Sequence, residues 1–254
     1  MIWQNAFLDT RWRFLVGLVL LTVSAMFVAL GYPTVVEVAK AAPAAPAGGP
    51  LGREIAEALA LSRTYDGYVW SQWFRQNGAQ LGSFFAVIIG TGGLLSQSSA
   101  ARLFTLSLPV SRERLLGARA TAGLAQVLAL SVVPAFTITL VSPLVGQQFS
   151  LLDTLVYGLC LFAGCAVFFS VAFLLSTLFA NVWAPAILAL CVGPVAAAAD
   201  QITGGPTAFS LLAMMHGEAY FRGNGVPWAM LAVSAAVSAA LIYGGVRVIA
   251  RRDF

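Results

Sequence analysis

Charge is what this chain has least of. Only 9% of its 254 residues are Asp, Glu, Lys or Arg, where a soluble domain carries roughly 25%. So few charges cannot cover a water-facing surface, and with 59% of the residues apolar the composition is that of an integral membrane protein. Histidine is nearly missing as well. His216, in "LLAMMHGEAYF", stands alone with Glu218 two residues on, which makes neither a metal site nor a base for a nucleophile. The three cysteines, Cys160, Cys165 and Cys191, fall inside apolar runs and read as small buried residues, away from usual disulfide positions. A phosphate loop is lacking too: "IIGTGGLL", with Gly90, Gly92 and Gly93, has no lysine and hydroxyl pair and no strand before it. Those glycines, like Gly158 and Gly164 in "GLCLFAGCAVFFS", fit close packing of helices.

The apolar runs are also empty of charge except near their ends, at Asp153, Asp200 and Arg247. A carrier driven by protons or sodium commonly needs a buried carboxylate, and a channel needs a carbonyl filter or a ring of charge. Neither pattern is present, which points to energy entering from outside the bilayer.

What the sequence does have is six apolar runs of about the 20 residues that a spanning helix needs. They cover residues 14–32, 79–95, 120–141, 155–178, 182–199 and 228–249. The fourth and fifth, separated only by "STLFAN", predict a tight hairpin turning near 176–181. The first run is longer than the core of a cleavable signal, typically about 7–15 residues, so it reads as a retained helix. Before it, residues 1–13 mix Ile2, Trp3, Phe7, Leu8 and Trp12 with Asp9, Arg11 and Arg13, the composition of an amphipathic helix lying among headgroups. The predicted fold is therefore an all-α integral membrane protein, a single transmembrane domain over 1–254 with six spanning helices and an interfacial N-terminal helix.

Charge orients it. With both termini cytoplasmic, the inner face carries nine arginines and three acids, a net of +6, and the outer face five basic and seven acidic residues, a net of −2. The bias follows the positive-inside rule. It also accounts for the basic isoelectric point without nucleic acid as a partner.

Two loops then stand out. The external loop 33–78 contains the low-complexity joint "AKAAPAAPAGGP", continues with "LGREIAEALALSR", which predicts a helix of about three turns, and closes with "YDGYVWSQWFRQN". Tyr65, Tyr68, Trp70, Trp73 and Phe74 crowd that last stretch, as rings do at a membrane interface. The same rings are candidates for an external gate, or for a surface that meets a lipid-like substrate or an external partner. The other loop, 96–119, is cytoplasmic and contains "LFTLSLPVSRERLLGAR". Leu103, Phe104, Leu106 and Leu108 form an apolar ridge, Pro109 ends one helical run, and Ser111 is placed to cap the next. Such an elbow anchors topology, or presses into a soluble partner with Arg112, Arg114 and Arg119 facing that partner or anionic headgroups.

The segment "LLSQSSARLFTLSLPVSRERLLGAR" resembles the loop between the second and third helices of type 2 ABC transporter permeases, with Pro109, Val110, Ser111 and Arg112 at its core and Leu115, Leu116 and Gly117 continuing it. The C-terminal "RRDF" is similar to the basic exit of that family's last helix, and the stretch before Phe14 to its opening helix. Gln97 stands where the family commonly has an acid, Ala100 and Ala101 where it has Gly-Thr, and Arg119 where it has lysine. The resemblance implies a bacterial or archaeal cell-membrane exporter subunit, with no catalysis and no cofactor of its own. It implies that two such subunits, identical or homologous, meet in the membrane and that two cytoplasmic ABC ATP-binding subunits bring ATP and Mg. Gln97, Arg102, Leu106, Pro109, Val110, Ser111, Arg112 and Arg114 would then couple this chain to the ATP-binding subunit. The cargo expected is hydrophobic or amphipathic. A different class of role, motivated by the long external loop, is a non-transporting subunit that transmits force from the ATPase to an extracytoplasmic protein.

Overall fold

Inside a bilayer no water bonds the backbone, so an apolar run must satisfy its own N–H and C=O groups, and a helix does so within one segment. The computed structural model describes residues 2–41, 50–91, 112–179, 181, 183–203, 205 and 209–250, and every regular element among them is a helix. Five stretches are long and apolar enough to cross a membrane: Phe7–Val38, Glu113–Val145, Leu151–Leu178, Trp183–Ile202 and Trp228–Ile249. They belong to α1 (Ile2–Ala41), α5 (Arg112–Val141, extended by a 3-10 turn at Ser142–Val145), α6 (Leu151–Leu178), the pair α7 (Trp183–Leu190) and α8 (Val192–Ile202), and α11 (Trp228–Ala250). The remaining expected span, 79–95, is described only to Thr91. There α3 (Tyr65–Val69), a π-helical segment (Trp70–Asn77) and α4 (Gly78–Gly90) follow one another without a break, and α4 supplies the apolar part.

The N-terminal segment differs from expectation. In place of an interfacial helix over 1–13, a span ending at Tyr32 and a loop from Pro33, α1 is one helix of 40 residues with Pro33 inside it. Its first turns are held in line from within the bundle: the Thr10 hydroxyl donates to Oε1 of Gln126 on α5 at 2.9 Å, and Nη1 of Arg13 donates to the Ile88 carbonyl on α4 at 3.1 Å. Near its far end Tyr32 packs edge-on against Tyr65, ring centroids 5.0 Å apart, so the turn around Pro33 is braced by the aromatic face of α3. Lateral packing of this kind lets a spanning helix tolerate a missing donor.

Helix α6 is the centre. It packs against α4, α5, α7, α9 (Leu211–Met215) and α11, which the short α10 (Glu218–Phe221) precedes, and 67% of its spanning window is buried. Small residues make the approach close enough: a Cβ added to Gly90 would lie 2.7 Å from the Phe169 carbonyl oxygen, and one on Gly164 would lie 2.5 Å from Met215. The expectation of close packing holds at both. The chain reverses between Leu178 and Trp183, where Phe179 is extended and Asn181 Oδ1 accepts from the Ala184 N–H, slightly later than the expected turn. Cys160 and Cys165 are buried as expected, but Cys191 is exposed at the joint between α7 and α8.

Polar groups gather at the two ends. One end holds Arg13 and, between α11 and α5, Arg247 within 3.7 Å of Glu113. The other holds Asp153, which accepts from the Tyr220 hydroxyl at 2.6 Å, and the Glu218–Arg222 ion pair. Segment 50–62, in the loop before α3, is helical (α2, Pro50–Ser62), starting on a proline that loses no helix bond there.

Candidate functional site

The aromatic stretch lies where the chain turns into the bundle. Thr64 caps α3 by accepting from the Gly67 N–H at 3.2 Å, and the wider π winding that follows turns Trp70, Trp73 and Phe74 inward together. All five rings singled out in the sequence, Tyr65, Tyr68, Trp70, Trp73 and Phe74, are buried within the chain. They are core, and the expectation of a surface offered to a partner is corrected here. The reason is the company they find. Phe74 stacks on Tyr157 of α6, centroids 4.8 Å apart, Phe149 lies beyond it, and Trp70 lies flat on Phe221 at 4.1 Å. Tyr65 Oη is 2.7 Å from Ser142 Oγ, which itself donates to the Ile138 carbonyl, so the tyrosine is the donor. Burial raises the Tyr65 and Tyr68 pKa values, so both phenols stay protonated.

Phe149, Tyr157, Tyr220 and Phe221 were not singled out in the sequence. The adjacent pair in "EAYF" was the available signal for the last two, but nothing local links them to residues 150 positions earlier.

Beside this block a cavity of about 530 Å³ opens between the π segment and α4 on one side and α8 and α9 (Leu211–Met215) on the other. Phe84, Phe168 and Pro194 form apolar wall, while Arg75, Gln80, Ser83 and His216 bring polar atoms. Three contacts position that polar edge. Trp70 Nε1 donates to the His216 carbonyl at 2.8 Å, tying the π segment to the end of α9. The Arg75 guanidinium lies 5.6 Å from the Trp70 ring, with its side chain half exposed and Glu57 3.8 Å away. Ser83 Oγ donates to Met215 Sδ at 3.9 Å.

His216 is neutral here. Burial, and secondarily the Arg75 charge, push its pKa down to about 4. The cavity therefore offers the Arg75 guanidinium, partly balanced by Glu57 outside the cavity, with a neutral imidazole, the Gln80 amide and a hydroxyl along a mostly apolar wall. That set can bind an amphiphile by its anionic or hydrogen-bond-accepting end. It contains no carboxylate and no activated nucleophile to cut one. Among the described residues no three His, Cys, Asp or Glu side chains are grouped to hold a metal ion. His216, which alone suggested no site, gains its place from the fold.

The expected coupling residues fare differently. Gln97, Arg102, Leu106, Pro109, Val110 and Ser111 lie outside the described residues. Arg112 opens α5, with its side chain likewise outside them, and Arg114 is exposed on the first turn. No family model matches this chain, and no curated protein and no solved structure matches it either.

Proposed function

We propose that this chain is the membrane-spanning subunit of an ATP-driven exporter for a hydrophobic or amphipathic solute, energised through its loop 96–119 by a separate ATP-binding subunit. The observation that carries the reading is the pairing of a cavity with a bare wall. The pair α7–α8, which forms one side of the cavity, has only 11% of its spanning window buried, against 67% for α6. It is jointed at Cys191 and carries Pro185 and Pro194. A wall so lightly attached can shift against the bundle at small cost, opening or closing the cavity, and its exposed Ile187 and Val195 leave room for a second membrane subunit. The bundle's polar ends and the sequence's charge bias favour the orientation with both termini cytoplasmic. The buried state of the aromatic block favours transport over force transmission to an external protein through those rings.

The test is reconstitution with an ATP-binding subunit. ATP-dependent uptake of an amphiphilic dye into inverted vesicles, whose outer face is the cytoplasmic one, should occur with the native chain and should fall strongly in Ser83→Trp, which fills the cavity. Leu106→Glu or Pro109→Glu should abolish stimulation of the ATPase. Full ATPase coupling without any solute movement would replace this reading by the force-transmitting one, and unchanged coupling in both loop variants would overturn the assignment of the loop.

A further inference from the structure

A second cavity, of about 310 Å³, lies between α5, α6 and α11, away from the one described above. Its size is at the lower end of the roughly 300–1,000 Å³ of small-molecule sites. Its wall is apolar apart from two hydroxyls, Ser234 and Ser238, one helical turn apart on α11. They are 2% and 6% exposed, and neither Oγ has a hydrogen-bond partner.

Those two serines differ from the other buried hydroxyls of the described residues, which have partners. Most hydroxyls within α5 and α6 fold back onto a carbonyl of their own helix: Ser131 on Val127 at 3.0 Å, Thr154 on Ser150 at 2.9 Å, Ser170 on Ala166 at 2.6 Å, Ser176 on Phe173 at 2.7 Å. That is the ordinary way to satisfy a buried hydroxyl in a helix. A hydroxyl left without a partner in an apolar setting is costly, and two of them facing one cavity call for an acceptor from elsewhere.

We propose that this cavity binds a neutral long-chain lipid whose hydroxyl or carbonyl oxygen accepts from Ser234 and Ser238. Neutrality follows from the wall, which holds no charged side chain, so an ionised headgroup or carboxylate would be buried uncompensated. The apolar walls contributed by Leu124, Phe162 and Ile242 take the chain. Small residues, Ala163 and Ala166 on α6 and Ala235 and Ala239 on α11, leave the space that a larger side chain would close. The site is separate from the proposed transport cavity, and the proposal does not depend on the export reading.

The experiment uses the full chain in nanodiscs of zwitterionic phospholipid, with a hexadecanol carrying a photoreactive diazirine as probe and peptide mapping by mass spectrometry as readout. Labelling should concentrate on residues 159–166 and 231–242, should be displaced by hexadecanol, and should resist hexadecanoate at pH 8. Replacing both serines (Ser234→Ala with Ser238→Ala) removes two hydrogen bonds and should weaken labelling about tenfold. Ala163→Phe should abolish it by filling the space. The serine variants change so little volume that they keep the test sound if Ala163→Phe fails to fold. Labelling spread evenly over exposed apolar positions such as Leu140 and Trp183, equal displacement by hexadecanoate, or no loss in the double alanine variant would each overturn the proposal.

Discussion

Helix α6 and the pair α7–α8 are neighbours in sequence, joined by one tight reversal, and both are apolar enough to cross a membrane. Yet α6 is enclosed by five other elements, and α7–α8 lies nearly bare. Hydropathy does not account for the contrast: the bare pair is the less apolar of the two, with mean hydropathy 1.5 against 2.4, and lipid rewards an apolar side chain about as well as a protein neighbour does. What separates them is fit. Helix α6 meets glycines that let backbones touch it, Gly90 from α4 and Gly123 from α5 against Phe169, and itself offers Gly164 to Met215. Helix α8 presents Gly193 with only ordinary contact to Phe168 and interrupts its own line at Cys191.

The sharpest way to break this contrast is to empty the enclosed helix. Phe169→Ala removes a ring that is 1% exposed and stacked on Phe173, and should cost about 3–5 kcal/mol in chemical or thermal unfolding in detergent. Filling should be the next largest effect. Gly90→Val would place side-chain atoms against the Phe169 carbonyl, and about 1–3 kcal/mol of destabilisation is expected, because that contact is backbone and has little room to give. If either change is as mild as a surface substitution, α6 is not the centre of packing.

A pH series probes the join between α9 and the cavity. The native pKa of His216 is depressed to about 4 by burial and then by Arg75, while an unfolded histidine has a pKa of about 6.5. The fold thus favours the neutral ring. This contribution is fully present above about pH 6.5 and is lost as the pH falls towards 4, since the unfolded chain takes up the proton first. The midpoint of thermal unfolding should drop over that window, and His216→Gln should flatten the slope. The smallest effects belong to the bare helix: Ile187→Ala and Val195→Ala should each change the stability of the isolated subunit by no more than about 0.5 kcal/mol. In the same detergent solution, maleimide should modify Cys191 well before Cys160 or Cys165, and equal rates would mean that the difference in enclosure is wrong.

Much of the fold was legible because the bilayer is a simple solvent. Apolar runs of spanning length, their ends marked by Arg247, Asp153 and Asp200, were enough to read helices, and the short "STLFAN" was enough to read a hairpin. The errors came where a local signal had a tertiary answer. Pro33 reads as the end of a helix, but Tyr32 is braced by Tyr65 and Tyr68 and α1 continues. The run from Tyr65 to Phe74 reads as a surface of rings, but Phe149 just before α6, Tyr157 within it and Phe221 from a second distant segment arrive to cover it. Cys191 reads as buried because its neighbours are apolar, and it is exposed because among the described residues no other helix covers the joint.

By itself the sequence determined that the chain is helical and apolar over lengths that cross a membrane, because in lipid each such segment must satisfy its own backbone whatever surrounds it. Only the tertiary structure decided which helix is central, which aromatic rings are core, where His216 sits, and that Ser234 and Ser238 face a space instead of their own carbonyls. Those outcomes depend on shape and hydrogen-bond geometry between segments far apart in the chain, and hydropathy records neither.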